Sequence, residues 1–179
     1  MCEDKKQKGA AIWFTGLPCS GKSAIADRLA QILKDKGYYV ERLDGDIVRQ
    51  DLTRDLGFSK SDRDENIRRV TFVTKLLARN GVFVLTSFIS PYREMRDRAR
   101  SQVENFMEVY VNTSLETCMK RDVKGMYKKA MAGEIKEFTG VSDPFEAPLK
   151  PELTIITDNE TLDQSTDKVL RKMQELGLL

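Results

Sequence analysis

The chain has 179 residues, 40% of them hydrophobic and 32% charged, and a net charge of +2. That is one domain of ordinary size with enough apolar residues for a core, and its overall charge does not point to a nucleic-acid binder. No apolar run approaches the roughly 20 residues of a membrane span, and the complete lack of histidine excludes any imidazole base or ligand from the chain.

Residues 1 to 8 are polar, lack a signal-peptide core and read as a frayed start, leaving residues 9 to 179 as a single domain. Ala10 to Thr15 is a short apolar run, expected to be a buried strand. Gly16-Leu17-Pro18-Cys19-Ser20-Gly21-Lys22-Ser23 follows at once. Lys22 to Lys36 then carries Ile25, Leu29, Ile32 and Leu33 at helical spacing, with Gly37 placed to end the helix. Tyr38 to Leu43 predicts a second strand running into Asp44-Gly45-Asp46, and a short helix is expected over residues 47 to 56. Ser61 to Asp64 matches a capping box, so Ser61 is the expected N-cap of a long helix ending near Asn80. Val82 to Phe88 is continuously apolar, as expected of a central parallel strand. Ser90-Pro91 is expected to open a helix to about Glu104. A strand over 107 to 111, a helix over 115 to 121, a strand over 153 to 157 and a helix over 163 to 176 complete the order. Residues 124 to 138 are basic, glycine-punctuated and weakly patterned. Strands alternating with helices predict an α/β fold in three layers, with a mainly parallel central sheet.

Gly16 to Ser23 matches G-x-x-x-x-G-K-[ST], a chance event in roughly one in a few hundred chains of this length. A strand before it and a helix after it supply the context that the motif requires. Its glycines let successive N–H groups turn inward on phosphate oxygens, and the helix N-terminus adds positive potential. Lys22 is expected to reach the outer phosphates and the Ser23 hydroxyl to ligate magnesium. Cys19 reads as a spectator. Cys2, Cys19 and Cys118 are scattered and fit neither a disulfide framework nor a zinc site, so a reducing, cytoplasmic setting is the default.

Asp44 and Asp46 flank Gly45 at the end of the second predicted strand, where ligands bind in open parallel sheets. A carboxylate there holds magnesium or accepts a proton from an attacking hydroxyl. Val82 to Phe88 ends in Ser87-Phe88, without the usual second carboxylate of NTPases, which favours a small-molecule kinase over a switch or motor. Arg49, Arg63 and Asn66 are candidate anion contacts, with Arg63 and Asn66 sharing a helix face. Phe58 and Phe138 read either as core plugs or as stacking platforms. Spacing favours Ser90 as a helix cap, against a substrate contact or a phosphoryl carrier.

At this point the chain resembles the adenylylsulfate kinase family. The resemblance runs from about Gly9 to the C-terminus, in ordered blocks. These are Gly16 to Ser23; Leu43-Asp44-Gly45-Asp46 with Arg49; Leu56 to Ser59 leading to Asp62 through Arg69; Phe88 to Arg93; Val109 to Val111; Arg121 to Ala130; and Glu137 to Gly140 through Glu146-Ala147-Pro148. It implies a P-loop kinase fold with a mobile lid over about 124 to 140. It implies transfer of the γ-phosphoryl of MgATP to the 3′-hydroxyl of adenosine 5′-phosphosulfate, in sulfate assimilation. By resemblance Gly16 to Ser23 bind ATP, Ser23 and Asp44 hold the metal, and Lys22 and Asp44 are catalytic. Asp46, Arg49, Arg63, Asn66, Ile89, Ser90 and Lys124 hold the acceptor, and Phe58 and Phe138 sandwich its adenine. Ser90 matches the position assigned a phosphoserine intermediate, although direct in-line transfer is physically simpler. A homodimer, and an ATP sulfurylase as functional partner, are also implied. The family loop often carries Ser-Gly-Ala in its middle where this chain has Pro18-Cys19-Ser20, a departure expected to change loop stiffness rather than activity. The competing readings are another small-molecule kinase, acting on a nucleotide or nucleoside, and a nucleotide-binding module without turnover.

Overall fold

The structure, a computed structural model, describes residues 7–179. The frayed start expected for residues 1 to 8 therefore lies mostly outside the described residues. Gln7 is described, and its side-chain amide pairs with both backbone groups of Tyr39, at 2.9 and 2.7 Å.

Five strands form one parallel sheet in the order β2-β3-β1-β4-β5. They are β1 (Ala10–Thr15), β2 (Val40–Asp44), β3 (Phe83–Ser87), β4 (Phe106–Val111) and β5 (Leu153–Ile155). β1 sits in the middle. β3, expected to be central, lies between β1 and β2 and is buried along its whole length. The helices are α1 (Lys22–Asp35), α2 (Gly45–Val48), α3 (Lys60–Arg79), α4 (Arg93–Gln102), α5 (Leu115–Arg121), α6 (Met126–Met131) and α7 (Leu162–Glu175).

Alternate strand residues divide the core between two faces, as the pleat requires. Ile12, Phe14, Leu85, Val109 and Val111 pack with Ile25, Leu29 and Leu33 of α1 and Val169 and Met173 of α7. On the opposite face Trp13 packs with Ile67 and Val70 of α3 and Met95 and Ala99 of α4. This is the expected three-layer α/β architecture. No helix among the described residues is long and apolar enough to cross a membrane.

Three helices differ from expectation. The helix expected over residues 47 to 56 is α2, which starts at Gly45 under an Asp44 cap and ends at Val48, the chain then continuing in turns. Ser59, not Ser61, caps α3: its hydroxyl accepts from the Asp62 amide at 3.1 Å and donates to the Asp62 carboxylate at 2.8 Å. α4 begins at Arg93 with Tyr92 at the cap, so Ser90 is not a cap. The reason is the Ser90 backbone, which has a φ of 39° and lies outside the helix. The weakly patterned basic segment contains a short helix, α6, that the sequence pattern does not predict.

Candidate active site

The loop between β1 and α1 curls through three positive φ values, Gly16 (150°), Cys19 (60°) and Gly21 (103°). Gly16 is required sterically: a Cβ there would stand 2.4 Å from the Val111 carbonyl oxygen. The Lys22 ammonium sits inside the curl, donating to the carbonyls of Gly16 (3.0 Å) and Leu17 (2.6 Å) and to the Ser20 hydroxyl (3.3 Å). Burial pulls its pKa down to about 8, because a desolvated ammonium is disfavoured. Pro18 offers its carbonyl to the Tyr127 hydroxyl at 3.1 Å. The Cys19 side chain packs with Tyr127 and Phe138. The loop is thereby tied to α6 and to the segment after it.

β2 delivers Asp44 to the loop although β3 lies between their strands. The Ser23 hydroxyl donates to Asp44 Oδ2 at 2.6 Å, and the Asp46 amide donates to Oδ1 at 3.0 Å. Arg42, two residues back on the same face of β2, brings Nη2 to 3.6 Å from Oδ2. Arg42 also donates to the Leu85 carbonyl (2.8 Å) and the Ser87 hydroxyl (3.0 Å). The end of β3, where other NTPases carry a second carboxylate, is thus occupied by a serine held by an arginine. Arg42 is a site residue that the sequence reading missed. A hydroxyl and a carboxylate in contact at a phosphate loop fit Mg2+, which takes hard oxygen ligands and uses one or two side chains plus substrate phosphates.

Asp46 is exposed and pairs with Lys124, bridging α2 to the segment before α6. Arg49 donates to the carbonyls of Leu56 (3.2 Å) and Gly57 (3.0 Å), and its guanidinium lies 4.3 Å over the Phe58 ring. Arg63, 8% exposed, has its Nε 3.8 Å from the Asp143 carboxylate and reaches three hydrogen-bond acceptors. It donates to the Phe58 carbonyl (2.7 Å), the Thr139 hydroxyl (2.8 Å) and the Glu137 carbonyl. One arginine therefore joins the segments that carry Phe58 and Phe138. The two rings have different surroundings. Phe58 is exposed, whereas Phe138 is buried edge-on against Tyr127, with centroids 5.0 Å apart. Asn66 lies one turn beyond Arg63, buried, with its Oδ1 unpaired by protein.

Ser90 is 2% exposed. Its hydroxyl accepts from the Trp13 indole N–H and donates to Thr15 Oγ1, both at 3.1 Å. Thr15 in turn donates to the Ile89 carbonyl at 2.7 Å. Arg121, on α5, donates to Thr157 Oγ1 (2.9 Å) and Thr157 O (2.8 Å), bracing the loop after β5 beside Gly21. Its position in the last turn of α5 gave no distinguishing pattern.

Comparison with known proteins places this geometry. Residues 8–156 match the family described as adenylylsulphate kinase. An adenylyl-sulfate kinase of Halothermothrix orenii is 57% identical, covering 98% of this chain and 95% of the relative. One of Gloeothece citriformis is 58% identical, covering 97% and 99%. The structure of the Mycobacterium tuberculosis APS kinase in complex with AMPPNP and APS superposes with a TM-score of 0.90 at 41% identity, covering 93% of this chain and 98% of that one. The family match spans the phosphate loop, Asp44 and Arg63: the chain belongs to the adenylylsulphate kinase family.

Proposed function

We propose that the chain transfers the γ-phosphoryl group of MgATP to the ribose 3′-hydroxyl of adenosine 5′-phosphosulfate, yielding 3′-phosphoadenosine 5′-phosphosulfate and ADP. One observation carries this reading. The Ser23–Asp44 contact continues through the Gly45–Val48 turn to Arg49, Phe58 and the Arg63 clamp, so a triphosphate site and an anion site share one wall.

In this reading the loop from Gly16 to Gly21 wraps the phosphates: Gly16, Leu17, Cys19, Ser20 and Gly21 offer backbone N–H groups, and Pro18, which has none, shapes the turn. Lys22 neutralises the outer phosphates. Ser23 and Asp44 would hold Mg2+, which would supply charge neutralisation to the transferring phosphates. The acceptor oxygen forms its bond to γ-phosphorus as the bridging oxygen departs with ADP, and Asp44 accepts the hydroxyl proton. A loose transition state asks little of a base, so the chief demands are positioning and charge. Arg49, Arg63 and Asn66 face the phosphosulfate end of the acceptor, with Ile89 and Ser90 at its sugar. Phe58 offers a free face to its adenine, and Phe138, buried against Tyr127 here, supplies the opposing face once the lid segment moves it out of that contact. Lys124, latched to Asp46, closes the lid of residues 124 to 140. The buried, doubly bonded Ser90 hydroxyl supports direct in-line transfer without a phosphoserine intermediate. Leu52, whose carbonyl accepts from Arg69, and Phe72, three residues after Arg69 on α3, are exposed and supply apolar surface for a homodimer contact. The acceptor is the product of a sulfurylase reaction, so a cytoplasmic ATP sulfurylase is the matching partner.

The test is an ADP-release assay with adenosine 5′-phosphosulfate, AMP or no acceptor, run side by side. The sulfated acceptor alone is expected to stimulate ADP release. Turnover with AMP alone would reject this acceptor, and equal release without acceptor would reject transfer altogether.

A further inference from the structure

Among the described residues Arg96 is the second-largest of the fully buried side chains, at 2% exposure, and it lies outside every motif singled out in the sequence. A buried guanidinium is costly unless its donors are matched. Here three nitrogens are used. Nε donates to Glu108 Oε1 at 2.8 Å, Nη1 to the Ser90 carbonyl at 2.5 Å and Nη2 to the Glu146 carbonyl at 2.6 Å. Glu108 has a second cation, Arg100 at 3.3 Å, so it does not depend on Arg96 for a partner.

The two carbonyls belong to separate parts of the site. Ser90 lies on the loop after β3, in a left-handed conformation that is unusual for a residue with a side chain. Drawing its carbonyl inward toward Arg96 turns its hydroxyl to Trp13 and Thr15. Glu146 lies where the chain returns from the lid, and that return is stitched to the start of α4. Its amide donates to the Pro91 carbonyl at 2.8 Å, its carboxylate accepts from the Arg93 amide at 2.8 Å, and Arg93 Nε donates to the Ala147 carbonyl at 2.8 Å. The planar fork of one arginine spans both carbonyls, which a lysine ammonium does not match.

We propose that Arg96 is a positioning residue for phosphoryl transfer. It fixes the strained Ser90 loop that borders the acceptor hydroxyl and locks that loop to the returning lid segment. The proposal rests on the acceptor assignment above for its kinetic consequence, but not for its structural one. A near-attack geometry is sensitive to displacements of about 1 Å, so loosening this loop costs rate on the acceptor side and leaves the phosphate loop untouched.

The experiment compares Arg96→Met, Arg96→Lys and Glu108→Gln with the wild-type chain. Trp13 is the only tryptophan, and its indole N–H reports Ser90 directly through the hydrogen bond. The single indole cross-peak in a 1H–15N spectrum, and the exchange rate of that proton, require no substrate. Expected in both Arg96 variants is an indole proton exchanging at least about tenfold faster, with β1 amides still protected. Expected in the assay is a fall in kcat/KM for adenosine 5′-phosphosulfate on the order of 100-fold for Arg96→Met, less for Arg96→Lys, with KM for MgATP within about twofold. Glu108→Gln keeps both carbonyl bonds and is expected to retain kcat/KM within about threefold. Unchanged indole exchange in either Arg96 variant overturns the proposal. So does a kinetic loss shared equally by both substrates or matched by Glu108→Gln. Should Arg96→Met fail to fold, Arg96→Lys against Glu108→Gln decides by the same readouts. A wild-type chain inactive on the sulfated acceptor rejects the acceptor assignment, while the indole measurement still judges Arg96.

Discussion

The Ser23 hydroxyl meets Asp44 Oδ2 at 2.6 Å, joining the first turn of α1 to the end of β2 across the intervening β3. Replacing Asp44 by Ala removes one half of the proposed metal-holding pair. Transfer is expected to fall on the order of 10³-fold, while far-ultraviolet circular dichroism stays unchanged. Turnover within about tenfold of wild type would remove Asp44 from both metal and proton roles.

Lys22 supplies a pH prediction. Its folded pKa, about 8, lies below the usual 10.5 because the ammonium is buried. Between those values the unfolded chain holds more protons, so this lysine makes the nucleotide-free fold more stable as pH rises through the window. Bound phosphates favour the charged form and reverse the preference. MgATP binding at pH 8.5 is therefore expected to take up as much as about one proton, and its affinity to weaken as pH rises past 8. Calorimetry in two buffers of different ionisation enthalpy measures the uptake. Equal heats in both buffers, or uptake that survives Lys22→Met, would contradict it.

Gly16→Ala forces a methyl group to within 2.4 Å of the Val111 carbonyl. Backbone on both sides leaves little room to yield, so a destabilisation of roughly 1–3 kcal/mol is expected from urea unfolding. Nucleotide affinity should fall with it. A variant as stable as wild type would mean that the loop shifts freely.

Arg63→Lys keeps the charge but loses the three-point grip on Phe58, Thr139 and Glu137. Its expected signature is a KM for adenosine 5′-phosphosulfate raised about 10–100-fold, with accelerated proteolytic cleavage between residues 124 and 140. Unchanged cleavage would show that the lid segment is held by other contacts.

The Lys124–Asp46 pair is exposed at both ends. Lys124→Ala should change unfolding free energy by less than about 1 kcal/mol, whatever it does to acceptor KM. A larger loss, insensitive to 1 M salt, would assign the pair a structural role.

Much of this was legible in the chain because the informative signals were local. The strand, glycine loop and helix from Ala10 to Lys36 are tied to one another by spacing, and the observed β1 and α1 keep to them closely. Capping was less legible. Ser59 and Ser61 both precede Asp62, and only the observed Ser59–Asp62 bonds choose between them. Ser90-Pro91 has the composition of a helix start, yet Arg96, six residues on, takes the Ser90 carbonyl and holds the residue outside the helix. Arg42 also reaches Leu85, 43 positions away, and Arg96 reaches Glu146, 50 positions away, and no short-range pattern encodes such pairs. The Phe58 and Phe138 rings were paired through family resemblance alone; in the structure Arg63 bonds the backbone carbonyls of Phe58 and Glu137.

Arg42 carries one more consequence. With Ser23, the Asp46 amide and Arg42 around it, Asp44 is held in place by protein groups alone. The floor of the cleft is then preorganised, and little conformational entropy remains to be lost there when nucleotide and ion arrive. What must become ordered lies above it, in the segment latched by Lys124 and Arg63. Substrate-dependent changes in hydrogen exchange should concentrate in that roof, and the rate of each cycle should follow how fast the roof opens rather than how the floor rearranges.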